Sequence, residues 1–320
     1  MSRTDSSRRS SAAAAAARMV IIALLAVFFC PTAAQAVIIN TLSGTGNTSA
    51  PIDDPGWSNV GLRGIGTGVY LGDRWVITAA HVGPGSIVLS GTTYAAEAGS
   101  MLTLNNAFDP AKTEPADLIL YRLTTDPGLP SLSIASSQLA TNAGVTMIGN
   151  GRNRGGFKTW SVNQSTSPWT WTESSTNVNA AGYSYEATRA MRWGTNTISD
   201  ATWVQYNIGT QQNPDLREVR SLVTTFTLSS VYSDEAQAAT GDSGGGVFFK
   251  NGSNWQLAGI MVAAAGYSGQ PANTAVFGNV TYIADLSVYR PQILAVVPEP
   301  SSLLLAALGI AAAATLTRRR

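Results

Sequence analysis

The sequence predicts an all-β fold, and three observations support this prediction. Short apolar runs rich in valine, isoleucine, leucine and tyrosine recur along the middle of the chain, and Gly, Asn, Asp and Pro separate them. No helical pattern of about 10 to 15 residues lies between the runs, which favours short antiparallel strands over βαβ units. The 31 glycines and the 8% aromatic content suit a turn-rich sandwich or barrel.

The apolar runs predict the strands in chain order. They are Gly68–Leu71, Trp75–Thr78, Ser86–Leu89, Leu118–Leu123, Val145–Ile148, Leu222–Leu228, Gly246–Phe249, Gln256–Val262 and Val276–Ile283. One segment, about residues 155–220, departs from this rhythm because it is rich in Trp, Thr, Ser and Asn and low in charge. It indicates long hairpins or an inserted loop region, either locally packed β structure or a substrate-binding lip.

Both ends of the chain are typical of processing signals. Residues 1–36 combine a basic start, the apolar run Met19–Phe29 and the small-residue site Ala34–Ala36, which predicts a cleaved signal peptide with Val37 as the new N-terminus. An uncleaved N-terminal anchor is the alternative. The mature domain is then expected to span residues 37–297.

The C-terminal residues 298–320 predict a sorting signal. The sequence V-P-E-P at 297–300 precedes the apolar stretch Ser301–Leu316 and the basic cluster Arg318–Arg320, an order typical of a short transmembrane helix with cytoplasmic arginines. It resembles the PEP-CTERM sorting signal of Gram-negative bacteria. The resemblance implies an exosortase-type transpeptidase as partner, transient residence in the inner membrane, and release to the cell surface or extracellular matrix. A plain membrane anchor is the alternative.

Composition argues against several classes of function. Residues 37–297 carry 13 basic and 17 acidic side chains without a basic patch, so no nucleic-acid partner is expected. The single cysteine, Cys30, lies in the predicted signal peptide, so the mature domain has no disulfide. With one histidine no metal site is expected, and the pair Asp53–Asp54 before a proline is typical of a turn. The glycines of 64–68 lack a P-loop lysine, and no cofactor is expected.

Two separated motifs point to a serine hydrolase. His81, the only histidine, ends the sequence W-V-I-T-A-A-H, and Ser243 lies in G-D-S-G-G-G at 241–246. A seryl hydroxyl needs a base to take its proton, and that base needs a partner to fix its tautomer. The glycines around Ser243 allow a tight turn, so the backbone N–H groups of Gly241 and Ser243 could converge to form an oxyanion hole.

Asp117 is the best candidate for the third catalytic residue. It stands at the start of the buried-looking strand that follows it, where an isolated charge is costly without a partner such as His81. Asp109 is the next candidate, although it precedes proline and is typical of a turn, as is Asp126. The order His, Asp, Ser and the absence of a helix after Ser243 disfavour an esterase of the G-x-S-x-G type.

The motifs resemble those of the chymotrypsin/trypsin-like serine endopeptidases. Four blocks match in order: Gly66–Leu71, Trp75–Val82, Asp117–Leu123 and Gly241–Gly246. The resemblance implies two six-stranded antiparallel β-barrels, about residues 37–137 and 138–297, with the triad in the cleft between them. It also implies peptide-bond hydrolysis through an acyl-enzyme, and an insertion near 155–220 in the second barrel. A catalytically inactive surface or matrix binding protein is the alternative function.

The resemblance carries two further expectations. In the family a freed N-terminus pairs with the Asp before the nucleophile, here Asp242, so removal of the signal by signal peptidase would expose Val37 for this role. The alternative is that Val37 begins an ordinary first strand and Asp242 has another partner. Trypsin-like enzymes carry an Asp six residues before the nucleophile, where this chain has Gln237. Gln237, Thr240 and Ala263 are therefore predicted to line a pocket for a neutral or apolar residue of a protein or peptide substrate.

Overall fold

Residues 60–122 form a curved antiparallel sheet. The computed structural model describes residues 37–40, 44–228 and 234–297. The strands of this sheet are β2 (Val60–Arg63), β3 (Gly66–Gly72), β4 (Trp75–Thr78), β5 (Ile87–Leu89), β6 (Thr92–Tyr94), β7 (Leu102–Thr103) and β8 (Ile119–Arg122). Their order is β6-β5-β2-β3-β4-β8-β7. A 3-10 helix, Trp57–Asn59, leads into it.

The sheet curls so that the segment after β6 meets the end of β8. Ala96 forms an isolated antiparallel bridge with Leu123, and the N–H of Glu97 donates to the carbonyl of Arg122 at 2.8 Å. Six strands therefore follow a nearly closed path, and the two-residue strand β7 adds a seventh along β8. The sequence did not predict β7 because two exposed residues carry no apolar pattern.

The second half of the domain contains a closed six-stranded barrel. Its strands are β9 (Gly144–Gly149), β13 (Arg192–Asn207), β14 (Leu216–Thr225), β16 (Gly246–Asn251), β17 (Asn254–Ala265) and β19 (Val280–Asp285). They close in the order β13-β14-β19-β17-β16-β9. The predicted all-β, chymotrypsin-like fold is confirmed.

A separate four-stranded sheet extends this half. It consists of β10 (Arg152–Asn163), β11 (Thr170–Glu173), β12 (Ala180–Arg189) and β18 (Thr274–Val276), in the order β11-β10-β12-β18. The Trp-rich range 155–220 thus contributes both to this sheet and to the barrel hairpin β13–β14. A small sheet pairs β1 (Ile38–Ile39) with β15 (Ala236–Gln237).

One apolar core joins the two halves. It contains Leu71 and Ile77 from the first sheet, Ile260 from the second barrel, and Tyr289 and Ile293 from the helix α1 (Leu286–Leu294). The helix begins at Asp285, whose carboxylate accepts the Ser287 N–H as an N-cap. Because these side chains belong to one cluster, the two halves pack directly against each other and fix the space between them.

The processing signals fall outside this description. The predicted signal peptide of residues 1–36 and the predicted sorting helix within 298–320 lie outside the described residues. Within the described ranges, no helix is both long enough and apolar enough to cross a membrane.

Candidate active site

His81 and Asp117 meet at one edge of the first sheet. Thr78, the last residue of β4, pairs with Ile119, the first residue of β8, so the residues just beyond both strand ends lie side by side. The His81 Nδ1 lies 2.6 Å from Asp117 Oδ2, and the His81 N–H donates to Asp117 Oδ1 at 2.9 Å. Because Nδ1 is engaged by the carboxylate, Nε2 is the ring nitrogen left to act on a hydroxyl.

The carboxylate of Asp117 is completely buried, whereas the His81 side chain is 29% exposed. A buried carboxylate is costly without hydrogen-bond donors. A third donor is the hydroxyl of Tyr206 on β13, 2.7 Å from Oδ2. Asp109, the alternative candidate from sequence, lies in a separate turn, where its Oδ1 accepts the Ala111 N–H. The structure therefore brings Asp117 to His81.

Ser243 lies in the loop between β15 and β16, which is tied to the first sheet through Thr67 on β3. The Thr67 N–H donates to the Ser243 carbonyl at 2.8 Å, and the Thr67 hydroxyl donates to the Gly241 carbonyl at 2.9 Å. The Thr67 carbonyl in turn accepts the Thr78 hydroxyl at 2.6 Å. This buried threonine connects the serine loop with the strand that leads to His81. Sequence reasoning included Thr67 in a matching block but gave it no role.

At Gly66 the backbone of Ser243 comes close to Val82, the residue that follows His81. A Cβ placed on Gly66 would lie 3.0 Å from the Ser243 carbonyl and within 3 Å of the Val82 side chain, next to His81. Only glycine allows this contact without displacing either neighbour. Sequence position alone gives no such proximity, since Val82 and Ser243 are 161 positions apart.

The backbone around Ser243 leaves two donors available. The Asp242 N–H donates to the Ala239 carbonyl at 3.0 Å, whereas the N–H groups of Gly241 and Ser243 donate to no other residue in the described part of the chain. Gly241 adopts a φ of +103°. The N–H groups of Gly241 and Ser243 therefore remain available as donors, which is what an oxyanion hole requires.

A cavity of about 240 Å³ opens beside Ser243. Besides the serine it is lined by Tyr185, Ala238, Ala239, Thr240, Met261, Ala263 and Ala264. Thr240 and Ala263, two of the residues predicted to line a substrate pocket, are among these lining residues. Gln237 is not among the lining residues, because it is buried in β15, where its amide donates to the Val280 carbonyl at 3.2 Å. Tyr185 and Met261 were not predicted, since neither stands near a recognisable motif.

Asp242 is buried completely behind the serine loop. Its Oδ1 accepts the Gly151 N–H at 2.7 Å and its Oδ2 accepts the Ala239 N–H at 2.8 Å. The backbone N–H of Val37 is a further donor to this carboxylate. Burial raises the pKa of Asp242 to about 6, against the lowering effect of these hydrogen bonds and of the Arg189 charge.

Two arginines to which no sequence motif points, Arg189 and Arg192, interact electrostatically with this carboxylate. The guanidinium of Arg189 packs against the Cα of Gly241, where a Cβ would overlap it. Arg192 is fully buried, and burial lowers its pKa to about 10. Within the described residues, none of its three guanidinium nitrogens has a hydrogen-bond partner. The described residues hold no cluster of side chains suited to a metal ion.

A closed β-barrel packed against a curled antiparallel sheet, with a His–Asp pair and a serine loop tied to that sheet, is the arrangement of a chymotrypsin-like protein. The chain belongs to the trypsin family, since the family model "Trypsin" matches residues 45–286. A second model, the PEP-CTERM protein-sorting motif, matches residues 296–320. Both resemblances stated from sequence are thereby confirmed.

Solved structures similar to this chain include two proteases and a heparin binding protein. The active form of the Rv3671c protease from M. tuberculosis is 16% identical, with 73% of this chain and 74% of that chain covered and a TM-score of 0.41. A mutant of human heparin binding protein is 16% identical over 80% and 96%, with a TM-score of 0.46. Mouse neuropsin is 18% identical over 78% and 96%, with a TM-score of 0.45. No curated protein matches the chain.

Proposed function

We propose that this protein is an exported serine endopeptidase that cleaves peptide bonds through an acyl-enzyme. The observation that carries the proposal is the 2.6 Å contact between His81 Nδ1 and Asp117 Oδ2, next to a serine loop tied to the same sheet. Ser243 Oγ is the nucleophile and His81 Nε2 accepts its proton, later returning it to the leaving amine. Asp117 fixes the imidazole tautomer and stabilises the imidazolium that forms.

The backbone around the serine supports the second part of this mechanism. When Ser243 attacks the scissile carbonyl, its oxygen becomes an anion that needs preorganised donors. The N–H groups of Gly241 and Ser243 are assigned this role because they have no other acceptor in the described residues. Collapse of the tetrahedral intermediate expels the amine and leaves the acyl-enzyme, which water then hydrolyses by the same route.

The cavity beside Ser243 is proposed to hold the side chain that precedes the scissile bond. Half of its lining residues are alanines, the others include Thr240, Met261 and Tyr185, and none of the described lining residues is acidic. We therefore expect a neutral or apolar residue at this position, because a Lys or Arg side chain would lose hydration without gaining a carboxylate. A peptide library should show this preference, and strict selection of Lys or Arg would contradict it.

Activation is proposed to coincide with export. The N–H of Val37 already faces the buried Asp242 carboxylate, and Val37 itself is buried. Cleavage by signal peptidase before Val37 would turn this amide nitrogen into an ammonium group beside the carboxylate. The added charge would stabilise the ionised Asp242, and with it the adjoining Gly241–Ser243 backbone.

The sorting motif supports a surface destination for the protease. The motif indicates export from a Gram-negative cell through a membrane-anchored precursor. We propose that an exosortase-type transpeptidase removes this tail and that the product acts on protein substrates at the cell surface or in the extracellular matrix.

Labelling with a fluorophosphonate tests the central proposal. This reagent reacts only with an activated serine, so protein spanning residues 37–297 should be labelled, whereas the Ser243→Ala and His81→Ala variants should not. Circular dichroism of all three proteins controls for folding. A folded Val37-initiated protein that takes up no label would contradict the proposal and favour a catalytically inactive binding protein.

A further inference from the structure

The hydroxyl of Tyr206 forms a link between the two halves of the catalytic cleft. Tyr206 lies on β13 of the second barrel, while Asp117 precedes β8 of the first sheet. The hydroxyl lies 2.7 Å from Asp117 Oδ2, the same oxygen that contacts His81 Nδ1 at 2.6 Å. An ionised carboxylate carries no proton, so the tyrosine is the donor in this bond.

The surrounding contacts hold this tyrosine in place. Arg217, the cross-strand partner of Tyr206 on β14, donates from Nη1 to the Ala116 carbonyl at 3.2 Å. The next residue, Glu218, donates its N–H to the Pro115 carbonyl at 3.1 Å. The β13–β14 hairpin therefore docks on the backbone immediately before Asp117. This docking positions the hydroxyl independently of the imidazole.

The environment keeps Tyr206 a neutral donor. Burial raises its pKa far above the usual range, and the neighbouring Asp117 charge acts in the same direction. A neutral hydroxyl that donates to a carboxylate spreads the negative charge and restricts the rotation of the carboxyl group. Both effects act on Asp117 Oδ2, the oxygen that contacts His81 Nδ1.

We propose that Tyr206 is a positioning residue for the His81–Asp117 pair. Its hydroxyl holds the Asp117 carboxylate with Oδ1 towards the His81 N–H and Oδ2 towards Nδ1, and it limits the charge that Oδ2 offers to the imidazolium. This inference rests on the proposed function for its kinetic consequence. The positioning of the His81–Asp117 pair by the Tyr206 hydroxyl does not depend on that function. A merely structural role for the hydroxyl would leave the titration of His81 unaffected.

The variant Tyr206→Phe removes the hydroxyl and keeps the ring. In the processed protein, purified after export, kcat should fall about tenfold, in line with loss of one hydrogen bond to a charged group. KM should stay the same, because Tyr206 does not line the cavity beside Ser243. The acid limb of the pH–rate profile should move to higher pH, since the unshared carboxylate charge favours the imidazolium more strongly.

Tyr289→Phe is the matched control. Tyr289 is also buried, and its hydroxyl donates to Asn106 Oδ1 at 2.8 Å rather than to the catalytic pair. The control should lose comparable stability but keep the kcat and the pH profile of the unaltered protein. Equal losses in both variants, with unchanged pH profiles, would overturn the proposal and leave a structural hydrogen bond.

A second readout does not depend on proteolysis. His81 is the only histidine, so the imidazole C–H resonances of untagged protein belong to one residue. In a Ser243→Ala background, Tyr206→Phe should raise the midpoint of this NMR titration by about half a pH unit. An unchanged midpoint overturns the positioning role. A raised midpoint, together with no fluorophosphonate uptake by the folded protein that retains Ser243, would uphold the positioning role while contradicting the proposed protease function.

Discussion

Gly241 is the residue at which steric space is most restricted near the proposed nucleophile. Its φ of +103° lies where L side chains are strained, and a Cβ there would overlap the guanidinium of Arg189. Any side chain at this position must move either the arginine or the peptide that carries the N–H. The conformation of the proposed oxyanion hole therefore requires glycine, the residue without a Cβ, at position 241.

The variant Gly241→Ala should reduce kcat by about 10²-fold or more, as expected for loss of one oxyanion donor. Steady-state kinetics on a peptide ester or amide would measure this. Gly252→Ala is a suitable control, because Gly252 also has a positive φ, +62°, but no atom lies within 4 Å of its added Cβ. The control should cost about 1 kcal/mol of stability and leave kcat intact. Full activity of Gly241→Ala would remove this residue from the mechanism.

At the scale of residues, sequence motifs indicate the proposed catalytic side chains but not the residues that reach them through tertiary packing. His81, Asp117 and Ser243 stand in short motifs that by themselves suggest the catalytic roles proposed for them. Tyr206 reaches Asp117 only because a hairpin of the other barrel docks there, and nothing in its neighbouring sequence indicates this contact. Gln237 was assigned to the pocket from its position relative to Ser243, whereas its side chain is buried in β15.

In the proposed activation, the short strand β1 is the element that would connect signal removal to the serine loop. Its two residues pair with β15, with Ile38 opposite Gln237 and Ile39 opposite Ala236. This pairing holds the preceding Val37 nitrogen at the Asp242 carboxylate. Both strands are buried along their whole length, so the first residue cannot shift without disturbing the base of the serine loop.

Retaining Ala36 in front of Val37 should therefore reduce activity more than tenfold. The extension replaces an ammonium with a neutral amide beside a fully buried carboxylate, and it removes a charge partner from the site. Active-site titration of proteins beginning at Ala36 and at Val37 would compare the two. Val37→Ile with a free N-terminus is the control that keeps the charge and should remain active. Equal turnover of the extended and unextended proteins would contradict activation by signal removal.

Strand prediction succeeded where a strand is buried along its whole length and failed where burial is uneven. Trp75–Thr78 appears as β4 with the same bounds, because all four residues are buried. The predicted run Val276–Ile283 instead divides into β18 and β19, with a turn at Gly278, whose φ is +96°. The long strands β10 and β12 carry many polar residues, so their sequence indicated hairpins without giving their limits.

For the molecule as a whole, burial of Asp242 predicts a dependence of stability on pH. Its pKa in the folded protein, about 6, is higher than the ordinary value of 3.8. Between these two values the folded state binds more protons than the unfolded state, so its stability should fall as pH rises from about 4 to about 6. This value describes the amide form of Val37, as found when residues precede it.

Urea unfolding of a Ser243→Ala protein that retains Ala36 would measure this fall, expected to be on the order of 2 kcal/mol. Asp242→Asn in the same background should lack this contribution, because an amide does not titrate. The difference between the two curves isolates Asp242 from other acids. A difference that is constant from pH 4 to pH 7 would contradict the raised pKa.

The two-barrel arrangement itself was predictable only through family resemblance. Alternating apolar runs indicate strands but not which strands pair, and the second barrel closes through pairs far apart in sequence, such as Gly246 with Ile148. The core that joins both halves also requires α1, whose nine residues gave no long amphipathic pattern. Local sequence therefore specifies the elements, and the contacts between distant segments specify the cleft.

The position of α1 has a consequence for where the proposed protease could act while it is still anchored through its sorting motif. Val297, just past the helix, is still buried in the core, and the apolar sorting stretch begins at Ser301. Four backbone steps can span at most about 14 Å. In the anchored precursor, such a short linker would hold the folded domain close to the membrane surface. The proposed protease could then reach only substrates at that surface. Release by tail cleavage would change its accessible substrates without any change in its catalytic residues.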